Sequence, residues 1–267
     1  MIAPAPIPVS DHFLAAETER TLNDFSFAWE GLKETVHDHG DLLIRALPEL
    51  GPNLAGWVVR IAIEPSRVEA RLDDLWPEYG EQRFRWLIGP GTQPSDLTER
   101  LLARGLTVLT EWDGLALTDL EVEFPHNPDI VIEPLHEENV EEFAALFASR
   151  GPAVQESQLA NARRYLNRPQ PEVRISCSRL DSRIAGYTTL RLEPTGVAYL
   201  RQAFTAPEFR GRHVYLTGVA HRLAVARDAG CTAAVVQAVA QTSSPILRKY
   251  GFSKVSWLRA LGHAPES

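Results

Sequence analysis

The chain has 267 residues, of which 44% are hydrophobic and 23% are charged, and its formal net charge is -8. This composition supplies enough apolar side chain for a hydrophobic core, which excludes an intrinsically disordered chain. The negative charge argues against a nucleic-acid binder, because phosphate backbones are met by clustered Lys and Arg. No apolar run approaches the roughly 20 residues that a membrane-spanning helix needs, so we expect a cytoplasmic protein without a membrane partner.

The cysteine content limits the covalent and metal chemistry of the chain. Cys177 and Cys231 are the only two cysteines. Two cysteines cannot build a disulfide framework or a four-cysteine zinc site. We therefore expect both to act as small buried hydrophobes, and we expect no metal in the site.

The length predicts two domains, since domains commonly contain about 150 residues. Residues 1–128 hold 10 basic and 22 acidic residues, a formal charge of -12, whereas residues 129–267 hold 17 and 13, a charge of +4. The sequence FPHNPD at 124–129 contains two prolines and an asparagine, which favour extended or turn geometry. We predict an N-terminal domain at 1–128 and a C-terminal domain at 129–267.

The N-terminal half contains helix and strand patterns in alternation. Ser10 is placed to cap a first helix through its side-chain oxygen. Residues 57–65 alternate in polarity and are rich in β-branched side chains, which predicts a half-buried strand, and residues 84–89 predict a second one. A Gly-Pro turn follows, and the pattern at 95–105 predicts a helix that ends on glycine.

The C-terminal half has the same mixed character. Its order of strands and helices predicts an α/β fold with parallel pairing near a crossover. The predicted elements are a strand at 130–135, a helix at 138–151, strands at 173–180, 184–193 and 197–205, a helix from 214, a strand at 233–238 and a last helix within 241–252.

The helix that starts near Val214 is preceded by a basic loop. Its apolar residues recur at steps of three and four, so one face packs on a sheet and the helix start points outward. A helix start presents unpaired N–H groups and a partial positive charge, which suit phosphate. Residues 201–227 contain five arginines and one acid, Glu208. This charge favours an anionic ligand, although solvated surface arginines would give the same count.

Three segments in register resemble the GNAT superfamily of acyl-CoA-dependent N-acyltransferases. TAPEFRGR at 205–212 resembles the strand end and pyrophosphate loop, the helix that follows has the length usual in the family, and QTSSPILRKYGF at 241–252 resembles the closing helix and its Gly-Phe turn. The match covers about residues 130–260. Residues 85–120 resemble the end of a first domain in two-domain members. The resemblance thus implies a mixed α/β sheet in tandem GNAT-like domains, the C-terminal one more complete.

The resemblance also implies how a donor would bind. The donor would be acetyl-CoA or another acyl-CoA, and the acceptor a primary amine of a small molecule or peptide. The strand at 197–205 would splay from its parallel neighbour at 233–238, and its free main-chain groups would pair with pantetheine. The diphosphate would sit on N–H groups at the helix start, with charge from two arginines. The implied donor-binding residues are Phe204, Thr205, Ala206, Arg210, Gly211, Arg212, His213, Val214, Tyr215 and Ser243.

The sequence departs from the family pattern at three positions. His213 and Tyr215 stand where the family loop has two glycines. A side chain there hinders the approach of phosphate, and it costs on the order of 1 to 2 kcal/mol if the backbone must be left-handed. Leu247 occupies the position at which many members carry the tyrosine that protonates the departing thiolate. His213 or Tyr215 could replace that acid, or either could plug the loop.

Candidates for the remaining roles come from the strands beside the loop. Tyr199 and Glu193 could accept the proton of the amine, directly or through water, although Glu193 before Pro194 also suits a turn. Ser243 could contact pantetheine, or Ser243 and Ser244 could cap the last helix. If the acceptor lies between the domains, the acidic N-terminal half predicts a cationic acceptor.

Two other functions remain open at this point. The departures at the loop and at Leu247 would suit a binding or scaffolding protein that keeps the fold without catalysis. A GNAT-fold enzyme could also take its acyl group from a carrier protein, or catalyse a different reaction in the same cleft. The sequence does not fix the oligomeric state, and a homodimer is compatible with it.

Overall fold

The structure is a computed structural model that describes residues 10–48, 55–80, 83–167 and 172–264. The helices are α1 (Asp11–Asn23), α2 (Val68–Leu75), α3 (Leu97–Ala103), α4 (Val140–Ala145), α5 (Pro152–Asn167), α6 (Val214–Asp228) and α7 (Ser243–Arg248). The strands are β1 (Thr35–Asp38), β2 (Leu43–Ala46), β3 (Gly56–Val59), β4 (Phe84–Ile88), β5 (Thr107–Leu117), β6 (Val131–Pro134), β7 (Val173–Leu180), β8 (Arg183–Leu192), β9 (Val197–Thr205), β10 (Ala233–Val239) and β11 (Ser253–Gly262).

These strands form one mixed sheet that runs through both halves of the chain. Their order is β1-β2-β3-β4-β11-β5-β10-β9-β8-β7-β6. Strand β3 runs parallel to β4, and β9 runs parallel to β10, whereas the other neighbours are antiparallel. The predicted mixed α/β class is confirmed. None of the described helices combines the length and apolarity needed to cross a bilayer.

The last strand of each half is inserted between two strands of the sheet that include strands of the other half. Strand β5 from the first half sits between β10 and β11, and β11 sits between β4 and β5. The hydrophobic clusters also combine side chains of both halves. Leu261 of β11 packs in a cluster with Trp86, and Leu115 of β5 packs in a cluster with Val219. The boundary at residues 128 and 129 stays a prediction, because the sheet is continuous across it.

Helices cover both faces of the sheet around β9. Helix α6 packs Leu216, Val219 and Leu223 with Leu200 of β9 on one face, as its apolar spacing predicts. Tyr199, the neighbour of Leu200, points to the opposite face, because side chains alternate along a strand. It packs there in a cluster with residues of the N-terminal half.

Local signals explain several element ends. The backbone N–H of Phe13 donates to Ser10 Oγ at 3.2 Å, so the predicted N-cap of α1 is confirmed. Strand β3 ends at Val59 rather than at residue 65, because Arg60 takes a left-handed φ of 51°. The helix predicted at 138–151 is shorter, since α4 ends at Ala145 and Gly151 adopts a φ of 100°.

Five elements lack a counterpart in the predictions. One of them, α5, begins at Pro152. Proline is common at the first position of a helix, because an N–H group there would have no partner within the helix. The exposed strand β1 lacks the alternating burial that makes strands recognisable. The elements not predicted from the sequence are α2, α5, the hairpin of β1 and β2, and β11.

The exchange of β5 and β11 predicts that the two halves depend on each other. We expect residues 1–128 and 129–267, expressed separately, to remain aggregated or unfolded, because each lacks the strand that completes its sheet. Co-expression should yield a folded complex, measured by co-purification and by cooperative thermal unfolding. A monomeric, cooperatively folded fragment 129–267 would contradict this prediction.

Candidate functional site

A gap opens in the middle of the sheet where β9 and β10 separate. The two strands pair in parallel over three residue pairs, the last of which joins Val235 to Tyr199. Beyond Tyr199, β9 continues against β8, and β10 continues against β5 to Val239. The predicted splay of these strands is confirmed. The inner edges of both strands therefore carry main-chain groups that are not used in pairing with each other.

A bulge in β9 lies at the start of this gap. Leu200 pairs with Leu190 and Ala203 pairs with Thr188, so two residues of β9, Arg201 and Gln202, face a single residue of β8. An extra residue of this kind bends the strand and leaves a local break in the hydrogen-bond ladder. The bend carries the end of β9 away from β10.

A cavity of about 550 Å³ occupies the gap. Its lining includes Tyr215 and Val236 on the α6 side and Tyr199 and Phe143 on the other side, so the cavity reaches both faces of the sheet. This volume lies within the roughly 300 to 1,000 Å³ of small-molecule sites. The N-terminal half supplies part of the wall through Leu22, Phe27, Glu30, Leu32, Trp57 and Trp112.

A buried ion pair joins the two halves in the cavity wall. Arg201 of β9 donates from Nε to Glu30 Oε1 at 3.1 Å and from Nη2 to Glu30 Oε2 at 3.0 Å. Both side chains are 6% exposed. The Arg201 guanidinium lies 3.8 Å from the ring centre of Phe25 and 4.9 Å from that of Phe27. Among the described residues that line the cavity, Glu30 is the single carboxylate.

Aromatic rings form the wall on the outer part of β9. Phe204 stacks on Phe147 with a centroid distance of 6.0 Å, and the guanidinium of Arg150 lies 5.5 and 5.7 Å from the two ring centres. The Tyr187 hydroxyl donates to Gln202 Oε1 at 3.1 Å. Apolar rings beside one polar pair give a surface that can hold an acyl or aryl group.

The loop before α6 takes the left-handed geometry that the missing glycine implies. Gly211 has a φ of 76° and His213 a φ of 62°, and the exposed His213 side chain makes no capping hydrogen bond. Tyr215 lies inside the helix, so the backbone cost expected at this second position does not arise. Thr217 donates to the His213 carbonyl at 2.9 Å, whereas the first N–H groups of a helix have no partner within it.

The two arginines of this loop differ in their contacts. Arg212 Nη1 donates to Asp181 Oδ2 at 2.6 Å, and this ion pair holds the pKa of Asp181 below its usual value. Arg210 is exposed and forms no ion pair with a described residue. Arg210 is therefore the loop arginine whose charge is left for a ligand.

Three of the residues that were predicted to contact the donor or to act as the acid line the cavity. These are Phe204, Tyr215 and Ser243. Burial raises the pKa of the Tyr215 hydroxyl, although the charge of Arg222 opposes the shift. Leu247, at the position of the family tyrosine, is fully buried and carries no proton to donate.

The structure of the last helix contradicts the alternative that Ser243 and Ser244 cap it. Thr242 is the N-cap residue of α7, so neither Ser243 nor Ser244 caps it. The Ser244 hydroxyl instead donates to Asp113 Oδ2 at 2.6 Å, which fixes α7 on β5. Ser243 is left at the cavity wall, where contact with a ligand remains a prediction.

Other predicted residues lie away from the cavity lining. Glu193 is buried between Arg20 Nη2 at 3.0 Å and Arg191 Nε at 3.1 Å, so the geometry gives its predicted role as base no support. The Ala206 N–H donates to Ala185 O at 2.9 Å, which makes it unavailable to pantetheine. Thr205, Val214 and the His213 ring do not line the cavity either. Tyr199 does, and burial raises its pKa.

Sequence reasoning missed the arginines and the carboxylate that the fold brings together. Arg150, Arg201, Arg222 and Glu30 line the cavity, which gives this lining a positive balance. The expectation of a cationic acceptor therefore lacks support, because Glu30 alone among the acids of the N-terminal half reaches the described wall. Only the arginine count at 201–227 signalled this charge in the sequence.

The strain at His213 gives a test of the loop geometry. We expect His213→Gly to raise the free energy of unfolding by about 1 kcal/mol, because glycine adopts a positive φ without steric cost. Gly211→Ala should lower it by about 1 kcal/mol, since no described atom lies within 4 Å of an added Cβ and only the backbone is affected. Urea unfolding measures both, and shifts of the same sign would contradict the assigned geometry.

Comparison with known proteins agrees with this geometry. Residues 132–252 match the acetyltransferase (GNAT) family. No match is found among curated protein sequences. A GCN5-related N-acetyltransferase from Kribbella flavida is 15% identical with a TM-score of 0.63, and 98% of each chain is covered.

Two further solved structures extend the likeness over nearly the whole chain. A GCN5-related N-acetyltransferase from Sphaerobacter thermophilus is 16% identical with a TM-score of 0.57, covering 96% of this chain and 93% of that one. A tandem GNAT protein from the clavulanic acid biosynthesis pathway is 15% identical with a TM-score of 0.58, covering 99% and 90%. The chain thus has the fold of tandem GNAT proteins, and its residues 132–252 match the model of the acetyltransferase (GNAT) family.

Proposed function

We propose that the protein transfers an acyl group from acetyl-CoA or another acyl-CoA to a primary amine of a small molecule or peptide. The observation that carries this proposal is the gap between β9 and β10, which opens to both faces of the sheet. A donor and an acceptor can enter such a cavity from opposite sides. The family match at 132–252 supports the choice of acyl transfer.

The donor would lie on the α6 side of the gap. Its pantetheine amides would pair with main-chain groups of β9 beyond Tyr199, as an added strand does. Its diphosphate would accept hydrogen bonds from N–H groups at the start of α6, where the helix dipole is positive. Arg210 would add a charge that no described acid neutralises.

The acceptor would lie on the opposite side, beside Glu30 and Tyr199. The amine must lose a proton before its nitrogen attacks the thioester carbon. The Glu30 carboxylate offers about four lone-pair sites, and Arg201 occupies two of them, which leaves sites that can take this proton directly or through water. Glu30 is therefore the base that the geometry favours.

The remaining chemistry would take place at the bulge of β9. Attack forms the C–N bond and a tetrahedral intermediate, whose oxygen can accept a hydrogen bond from main-chain N–H of β9. Collapse breaks the C–S bond and releases the CoA thiolate. Tyr215 lines the cavity and carries a hydroxyl that can protonate the thiolate, a role that Leu247 cannot fill.

One observation favours a second function. The Tyr215 side chain lies in the cavity at a position where the family loop has glycine. If its ring occupies the donor path, the protein would keep the fold and bind a ligand without catalysing acyl transfer. Transfer from an acyl carrier protein is a further form of the proposal, since it needs no diphosphate site.

A titration with acetyl-CoA tests the donor. We expect acetyl-CoA to raise the melting temperature, because a ligand that binds only the native state stabilises it. Arg210→Ala should weaken binding by about 10-fold, since a hydrogen bond to a charged group contributes about 1.5 to 3 kcal/mol. Arg212→Ala should have a smaller effect, because Asp181 already neutralises Arg212. Calorimetry gives the dissociation constants.

The outcomes of this titration separate the two functions. Failure of the wild-type chain to bind any acyl-CoA, with binding gained in Tyr215→Gly, would support the non-catalytic alternative. A larger loss in Arg212→Ala than in Arg210→Ala would contradict the assignment of the loop arginines.

A matched pair of substitutions tests the base. Both Glu30 and Glu193 are buried and held by arginine. We expect Glu30→Gln to lower kcat by about 10²-fold, because the amine then has no base. Glu193→Gln should leave kcat unchanged. The reverse result would restore Glu193 and remove Glu30 from the mechanism.

A further inference from the structure

Arg222 of α6 is a buried cation without a counter-ion in the described part of the chain. The residue is 2% exposed and lines the cavity. Its guanidinium donates from Nε to Gly218 O at 3.2 Å, and from Nη1 to Thr189 O at 3.4 Å and to Arg201 O at 3.2 Å. These three acceptors are neutral carbonyls. No described residue accepts a hydrogen bond from Nη2.

The environment of Arg222 opposes its charge. Burial lowers the pKa of Arg222 to about 10, and the Tyr215 hydroxyl is the one titratable group that opposes the shift. Buried charges in proteins are normally paired, because an unpaired charge loses its hydration and gains no ion pair that compensates for the loss. The charge of Arg222 therefore calls for an anion that the described chain does not contain.

The contacts of Arg222 place this charge in the cavity wall at the bulge of β9, where the gap begins. Its two carbonyl partners from the sheet, on Thr189 and Arg201, belong to the bulge where β9 leaves β10. Tyr215 lies seven residues earlier, on the same side of α6. Substrate that crosses the sheet would pass this point.

The other polar groups of the wall also favour an anionic ligand. Arg150 at the cavity edge forms no ion pair with a described residue, and Glu30 is already held by Arg201. Trp57 Nε1 and Asn161 Nδ2, in two lining residues, are buried donors that lack an acceptor among the described residues. The described lining thus contains two buried donors without an acceptor, and its single carboxylate, Glu30, is paired with Arg201.

We propose that Arg222 binds a carboxylate of a substrate in this cavity. The carboxylate could belong to the acceptor, as in an amino acid that is acylated on its amine, or to the acyl group, as in the half-thioester of a dicarboxylic acid. Both sources present the same carboxylate, to which the N–H groups of Arg222 Nη2 can donate charge-assisted hydrogen bonds. Acylation of such a substrate rests on the proposed function, whereas binding of the carboxylate does not.

The first experiment compares pairs of substrates in which one member carries the carboxylate and the other carries a neutral group in its place. One arm uses acetyl-CoA with phenylalanine or phenylalaninamide. The second uses phenylethylamine with succinyl-CoA or butyryl-CoA. We expect the carboxylate to raise kcat/KM at least 10-fold in one arm, and that arm identifies the source. Equal kcat/KM values within both pairs would overturn the proposal and leave acyl transfer in place.

The second experiment removes the charge. Arg222→Met should abolish the preference, so that kcat/KM becomes equal for the charged and the neutral substrate of a pair, and Arg222→Lys should keep part of the preference. Arg227→Met, at an exposed arginine of the same helix, is the matched control and should behave as wild type. A preference that survives in Arg222→Met would overturn the proposal. If Arg222→Met does not fold, the proposal is tested by Arg222→Lys and by the substrate pairs with the wild-type protein.

A binding measurement separates this proposal from the proposed function. Phenylalanine and succinate are titrated into wild type and Arg222→Lys without CoA, and the melting temperature is followed. Stabilisation by one of them, reduced in the variant, would support the carboxylate site even if no acyl transfer occurs. Stabilisation by neither, together with equal rates in both substrate pairs, would reject the site whatever the outcome for acetyl-CoA.

Discussion

The pairing of β5 with β10 is the constraint on which the site depends. Residues 234–239 of β10 are held in an antiparallel ladder by residues 112–117 of β5. Because β10 is fixed on this side, it cannot follow β9 when the bulge bends that strand away. The gap therefore stays open as a built feature of the sheet. The strand that keeps it open comes from the N-terminal half, which carries no arginine-rich loop of its own.

The N-terminal half also supplies side chains to the part of the cavity wall that lies on the face of the sheet opposite α6. It contributes Glu30 to the buried pair with Arg201 and aromatic side chains to the wall. Further contacts between the halves join Arg20 to Glu193 and Arg164 Nε to Gly31 O, the latter at 2.6 Å. These contacts join the N-terminal half to the C-terminal half beside the cavity. In the proposed arrangement, the N–H groups that would bind phosphate belong to the C-terminal half, whereas the proposed base Glu30 belongs to the N-terminal half.

Local patterns predicted the elements around the loop well, because their signals lie within a few residues. The alternation in 173–180 and 197–205 gave the bounds of β7 and β9 to the residue, and the end of the loop gave the start of α6 at Val214. The missing glycine predicted strain at position 213, and His213 indeed adopts a left-handed φ. The strand exchange and Glu30 gave no such signal, since both depend on contacts more than 100 residues apart.

Charge was the least reliable guide, because a sum over a half says nothing about where its acids point. Many acids of the N-terminal half pair with nearby arginines at the surface, as Glu69 does with Arg100 and Arg104. Glu193 was a candidate base because the strand before it leads toward the loop, but Arg20 binds its side chain from 173 residues away in the sequence.

The exchange of β5 and β11 also governs how the protein is made. When a ribosome has completed the first half, β5 is present but both of its neighbours, β10 and β11, are still to be synthesised. The sheet of that half closes only when β11, near the end of the chain, emerges. Formation of the native state is thereby deferred until translation is nearly finished, and nascent chains carry an unsatisfied strand that chaperones must shield.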